Sequence, residues 1–156
     1  MRKQQKGFSL IELLIVVAII LIIAAIAIPN LLRARISANE ASAVSSLRTM
    51  NTACITYNST YGSYPPAVSD LGPSGGTPSS TSADLLDQVL APASGTPSKS
   101  GYTFTYAAGA GNATYTILGD PITVNQTGVR HFFTDQSGVL RFNAAATAAV
   151  TDSPLQ

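Results

Sequence analysis

Residues 8–28, FSLIELLIVVAIILIIAAIAI, constrain this chain more than any other feature, because Glu12 is their only ionisable side chain. As a helix they would span roughly 32 Å, at about 1.5 Å per residue, which matches the hydrocarbon core of a bilayer. Every face of that helix would be apolar, so packing on a soluble core does not explain it. The segment also accounts for much of the low content of charged residues, 11% of the chain.

Glu12 and the length of the apolar run help to distinguish between the possible kinds of membrane segment. A secretory signal peptide has an apolar region of about 7–15 residues before a small-residue cleavage site, and this run is longer. A plain anchor explains the length but not Glu12, since an acid inside a span costs about 2.5–3.5 kcal/mol. Glu12 either snorkels to water near the membrane surface or needs a cation. No basic side chain lies between Phe8 and Leu32, so the nearest cation would be an amine created by cleavage after Gly7.

The stretch Lys6-Gly7-Phe8-Ser9-Leu10-Ile11-Glu12, preceded by a short basic leader, resembles the class III signal of type IV pilins and type II secretion pseudopilins. The resemblance implies that residues 1–7 are a leader, that a prepilin peptidase cuts between Gly7 and Phe8, and that Phe8 is then N-methylated. It also implies that Glu12 pairs with the N-terminal amine of a neighbouring subunit. Such a pair would select the register of packed helices, because mispaired helices would leave two bare charges in apolar surroundings.

A second helical segment follows the apolar run. Pro29 cannot donate a backbone hydrogen bond, so we expect a kink or a local opening of the helix there. Residues 29–61 then predict an amphipathic helix, whose apolar stripe recurs at steps of three and four. Gly62 and the prolines after it should end the helix. The stripe consists of Ala43, Leu47, Met50, Cys54, Tyr57 and Tyr61.

Residues 62–156 predict a globular head. A loop rich in Gly and Pro covers 62–81, and a short helix is expected over 83–90 with Ser82 as its N-cap. Period-two alternation then predicts an antiparallel sheet of about four strands within 102–142, followed by a tail over 143–156. The expected fold is α+β and pilin-like, with the long N-terminal helix packed on the sheet. The four expected strands are 102–106, 113–118, 129–134 and 139–142.

Several residues after the apolar run could suggest a functional site, but a structural role fits each of them better. The single cysteine, Cys54, excludes an intramolecular disulfide and is read as a small core residue. Asp84 and Asp87 share a helix face but fit exposed first-turn acids. Asp135 and Ser137 offer too few oxygens for calcium and fit a turn. We expect no metal site, no cofactor and no catalytic residue. The other weak signals are His131 in a strand and the Asn-x-Ser/Thr matches at Asn58, Asn112 and Asn125.

The sequence therefore predicts a structural subunit of a type IV pilus, not an enzyme. Its partners would be copies of itself in a helical filament, the prepilin peptidase, the inner-membrane assembly machinery and membrane lipid before assembly. A pseudopilin of a type II secretion system is the alternative, favoured by the lack of a second cysteine; a membrane-anchored enzyme or binding domain is less consistent. We expect a single pass through the bacterial inner membrane, with the head in the periplasm before export. The net charge of +1 gives no reason to expect nucleic acid.

Overall fold

A computed structural model describes residues 8–155. The predicted leader, residues 1–7 with Gly7, lies outside them. The described chain contains the long helix α1 (Leu10–Tyr61) and the strands β1 (Ser98–Lys99), β2 (Tyr102–Ala108), β3 (Tyr115–Pro121), β4 (His131–Asp135) and β5 (Arg141–Asn143). It divides into two compact units, the first ending at Arg35 and the second beginning at Ile36. Helix α1 contributes residues to both units.

Helix α1 confirms the predicted long helix, and its first residue lies two positions after the expected start. Gly62 ends the helix as expected: its φ is +79°, and its N–H donates to the carbonyl of Asn58 at 2.8 Å. Pro29 lies inside α1, and the helix is assigned without a break on either side of it. The missing N–H of Pro29 still removes one hydrogen bond from the helix. The kink at Pro29 stays a prediction.

The sheet is an antiparallel meander in the order β1-β2-β3-β4-β5. The four predicted strands correspond to β2–β5, and β1 adds a two-residue edge. Gly119 in β3 pairs with Phe104 and Phe132 on its two sides. A Cβ on Gly119 would lie 3.2 Å from a methyl group of Leu47 in α1, so the glycine lets the helix approach the sheet closely. The α+β arrangement is therefore confirmed for the second unit.

The predicted stripe on α1 faces the core of this unit. Ala43, Leu47, Met50, Cys54 and Tyr57 are buried and form one cluster with the inner face of the sheet. Tyr61, the last residue of the stripe, is partly buried against that cluster. The period of three and four that was visible in the sequence therefore corresponds to the contact between helix and sheet.

The prediction of a helix over residues 83–90 is wrong. This stretch is a chain of turns and bends, and Asp84 has a φ of +55°, which a right-handed helix does not allow. The N–H groups of Ala83 and Leu86 donate to the carbonyls of Asp70 and Leu71, at 2.7 and 2.8 Å. These tertiary hydrogen bonds replace those of a helix. Ser82, the expected N-cap, donates its hydroxyl to the carbonyl of Pro73 instead.

The tail pairs with the last strand. The N–H of Phe142 donates to the carbonyl of Ser153 at 3.1 Å, and the N–H of Leu155 donates to the carbonyl of Leu140 at 2.7 Å. Residues 143–155 therefore fold back along the sheet, although their composition, rich in Ala and Thr, predicts no regular structure.

Candidate assembly site

The apolar half of α1 is not packed against other residues of the first unit. Every large apolar side chain from Phe8 to Leu32 is exposed, with exposed fractions between 44% and 75%. Helix α1 is the one helix among the described residues that is long and apolar enough to cross a membrane. Each large apolar side chain gains about 1.5–3 kcal/mol on full burial. This surface therefore requires lipid or other helices around it.

Glu12 is the polar exception on this surface. Its Oε2 accepts a long hydrogen bond, 3.4 Å, from the backbone N–H of Ser9. No lysine, arginine or histidine of residues 8–155 forms an ion pair with it. Phe8 lies four positions before it and is 75% exposed. Within the part of the chain that the structure describes, the Glu12 carboxylate therefore has no cationic partner.

Glu40, in the second unit, is a buried carboxylate that the sequence analysis missed. Its Oε1 accepts hydrogen bonds from the backbone N–H groups of Val129 and Arg130 at 2.9 and 3.1 Å, and its Oε2 accepts one from Nε of Arg130 at 2.7 Å. Burial alone would raise the pKa of Glu40, but these donors and the nearby guanidinium outweigh burial and lower it. The guanidinium also lies 5.6 Å from the ring centroids of Phe132 and Phe142. Glu40 therefore fixes the start of β4 to α1.

A buried polar network fixes the middle of the same helix segment. Asn51 donates from Nδ2 to Oγ1 of Thr134 at 2.9 Å, and its Oδ1 accepts a hydrogen bond from the hydroxyl of Tyr115. All three side chains are buried. An apolar contact tolerates sliding, whereas these directional bonds hold only one register of helix against sheet.

Structural roles fit four further candidates, namely His131, Asp135, Ser137 and Cys54. His131 lies against Asp120, with 2.6 Å between Nδ1 and Oδ1, a pairing that local spacing did not reveal. Oδ1 of Asp135 accepts the N–H of Ser137 at 2.8 Å, which is a simple turn. Burial raises the pKa of Cys54 to about 12, so its thiol is unreactive. Within residues 8–155 no group of three or more His, Cys, Asp or Glu side chains is placed to hold a metal ion.

Comparison with known proteins identifies the N-terminal region. The family profile described as "Prokaryotic N-terminal methylation motif" matches residues 2–28. That match covers the basic leader, Gly7, Phe8, Glu12 and nearly all of the exposed apolar helix.

Two characterised proteins share this region. The chain is 66% identical over 38 residues to the type IV wide pilus major component PilA4 of Thermus thermophilus, covering 24% of this chain and 29% of that protein. It is 39% identical over 69 residues to the type IV major pilin protein PilA of Myxococcus xanthus, covering 44% of this chain and 31% of that protein. The chain thus matches less than a third of either relative's length. No solved structure matches significantly. Residues 2–28 of this chain therefore carry a prokaryotic N-terminal methylation motif, and its N-terminal region is similar to that of two type IV pilins.

Proposed function

We propose that this chain is the structural subunit of a type IV pilus. A prepilin peptidase removes residues 1–7 between Gly7 and Phe8, and Phe8 is then methylated on its new amine. The apolar half of α1 holds the subunit in the inner membrane until the assembly machinery transfers it into a helical filament. There the same half of α1 packs against identical helices.

The observation that carries this proposal is the lone carboxylate of Glu12 on an otherwise apolar, exposed helix surface. A lipid bilayer satisfies the apolar side chains but penalises the charge. A bundle of identical helices buries the apolar side chains and also provides a partner for the charge of Glu12, because each processed subunit supplies a cationic amine at Phe8. A methylated amine keeps its positive charge. A paired charge is tolerated in low-dielectric surroundings, whereas an unpaired one is strongly penalised, so assembly selects the register in which Phe8 and Glu12 of neighbouring copies meet.

The basic residues on either side of the apolar run indicate the membrane topology. Arg2, Lys3 and Lys6 precede the apolar run, and Arg33 and Arg35 follow it. The excess of basic residues before the run favours a cytoplasmic N-terminus. The head, residues 62–155 packed on the second half of α1, is then outside the cytoplasm before assembly.

Filament isolation tests the proposal. Cells are sheared, and the released material is inspected by electron microscopy with an antibody against the head. We expect long filaments that the antibody labels along their length. Absence of this chain from sheared filaments, with all of it retained in the cell envelope, would contradict the pilus and favour the short pseudopilus of a type II secretion system.

Glu12→Ala tests the role of the carboxylate, with Ser9→Ala as the matched control on the same turn. Glu12→Ala should remain in the membrane fraction at the normal level, because removing a charge favours insertion. Its filament yield should fall sharply, while Ser9→Ala should assemble normally. Normal filament yield from Glu12→Ala would refute the proposed pairing.

A further inference from the structure

The head has two distinct ends, defined by α1. The near end is the one beside Asn39 and Glu40, where the N–H₂ group of Asn39 donates to the carbonyl of Thr127 at 2.8 Å. The far end is the one beside Tyr61, where the N–H of Tyr64 donates to the carbonyl of Asn112 at 2.9 Å. Strand β3 therefore runs from the far end to the near end, opposite to α1. The loop after it, residues 122–128, belongs to the near end.

The near-end loop presents apolar side chains on a rigid support. Ile122 and Val124 are 59% and 48% exposed. Backbone hydrogen bonds close the loop: the N–H of Asn125 donates to the carbonyl of Gly128 at 2.8 Å, and the N–H of Thr127 donates to that of Thr123 at 2.9 Å. The hydrogen bond that Asn39 donates to Thr127, and the one that Glu40 accepts from Val129, fix both the loop and the residues after it to α1. The two exposed side chains are therefore preorganised for a contact.

The far end carries a cleft on the outer face of the sheet. Its volume is about 540 Å³. Leu118 and Phe133 pair across β3 and β4, and side chains alternate along a strand, so both lie opposite to the face that packs on α1. The tail forms the other wall, where Ala148 is buried and Val150 is 54% exposed. An apolar cleft with an open mouth results, large enough to receive two aliphatic side chains.

The charges of the head are also distributed unevenly between these ends. Lys99 is exposed at the near end, on the turn where Ser100 accepts a hydrogen bond from Ser42 of α1. Asp84 and Asp87 are exposed on the segment packed beside Leu71, at the level of Tyr57. None of these three takes part in an ion pair among residues 8–155. These exposed charges are opposite in sign at the two ends, which favours contact between the near end of one copy and the far end of another, although neither aspartate lines the cleft itself.

We propose that heads associate head to tail, with Ile122 and Val124 of one copy inserted into the cleft formed by Leu118, Phe133 and Val150 of another. This inference rests on the proposed function, because a filament of parallel helices shifted along their axis brings the near end of one head to the far end of another. Projection and cleft lie on different surfaces of the same molecule, so the contact is heterologous and does not close on itself. Such contacts build open helical filaments, whereas self-complementary contacts build dimers.

Cysteine cross-linking in intact filaments tests the contact. The full-length double variant Val124→Cys/Val150→Cys is oxidised mildly, and the products are separated without reducing agent. We expect a ladder of multiples, because each subunit bonds to one neighbour through each cysteine. Each single variant should stay monomeric, and the native Cys54 does not interfere because it is fully buried. The matched control is Val124→Cys/Val89→Cys, since Val89 is 49% exposed but does not line the cleft; it should form no ladder.

The outcomes distinguish this inference from the proposed function. Normal filaments of the double variant without a ladder, or an equal ladder from the control, would overturn the head-to-tail contact and leave the pilus intact. Absence of filaments from the unmodified chain would overturn both. Hydroxyl-radical footprinting of unmodified filaments needs no variant and provides a second measurement. It should show loss of labelling at Val124 and Val150, relative to the detergent-solubilised subunit, and no loss at Val89; unchanged labelling at Val124 and Val150 would overturn the contact.

Discussion

Replacement of Glu40 by alanine should destabilise the head more than any other single change of a charged residue. The carboxylate accepts three hydrogen bonds from Val129 and Arg130, at 2.7 to 3.1 Å, and only 6% of Glu40 is exposed. Alanine removes the acceptor and leaves two backbone N–H groups without their partner. It also frees the loop 122–128 from one of its supports on α1.

The size of the effect follows from these bonds. An unsatisfied buried donor costs about 1–3 kcal/mol. The two N–H groups freed here belong to half-buried residues, so each should cost about 1 kcal/mol, the lower end of that range. The guanidinium of Arg130 is 38% exposed, so water compensates most of its loss, and its share is about 0–1 kcal/mol. The free energy of unfolding should therefore fall by about 2–3 kcal/mol in Glu40→Ala. Glu40→Gln keeps one oxygen acceptor for the backbone and should lose about 1 kcal/mol.

Urea denaturation of the full-length chain in detergent micelles measures this difference. The micelle covers the apolar half of α1, and near-ultraviolet circular dichroism reports on the tyrosines, of which Tyr102 and Tyr115 are buried in the head. Asp84→Asn is the matched control, since Asp84 is exposed and asparagine also tolerates its positive φ. Its stability should remain within about 0.5 kcal/mol of the wild type. Equal stability of Glu40→Ala and the wild type would refute the role given to this carboxylate.

Three further predictions concern the same head. Because the pKa of Glu40 is lower in the folded state than its ordinary value of 4.5, its contribution is complete above that pH and is lost as pH falls through the folded-state pKa. Urea titrations between neutral and acidic pH should therefore show a smaller acid loss in Glu40→Gln than in the wild type, and an unchanged acid loss would contradict this. Cys54, whose pKa burial raises to about 12, should resist maleimide in the native subunit at pH 8 and react once urea unfolds it; fast native labelling would contradict its burial. Tyr115→Phe leaves Oδ1 of Asn51 without its donor and should cost about 1–3 kcal/mol in the urea assay, whereas Tyr61→Phe, near the surface, should cost much less.

Local patterns in the sequence were sufficient to predict α1 and β2–β5. Helix α1 follows from a long apolar run and a stripe with helical spacing, and the strands follow from alternation, because both signals depend only on neighbouring residues. The candidate site at Phe8 and Glu12 was visible for the same reason. A lone acidic residue in an apolar segment can be identified as a candidate site from the sequence alone.

The features that were missed depend on residues far apart in the chain. Glu40 and Val129 are 89 positions apart, and Asn51 and Thr134 are 83 apart, so no local pattern links them. Residues 83–90 have the composition of a helix, but hydrogen bonds to the carbonyls of Asp70 and Leu71 fix a different path. Tertiary partners therefore override local propensity in this segment. The edge strand β1 is too short for its alternation to be recognised.

The most direct test of the account is a zero-length cross-link between the Phe8 amine and the Glu12 carboxylate in purified filaments. Carbodiimide joins an amine to a carboxylate only when the two groups are in contact, and trypsin then releases the peptide from Phe8 to Arg33, which contains no other lysine or arginine. We expect mass spectrometry to show two or more copies of this peptide joined with loss of one water per bond, each beginning at a methylated Phe8. Recovery of the unlinked peptide alone, or of a peptide closed only on itself, would contradict the pairing of neighbouring subunits through Phe8 and Glu12.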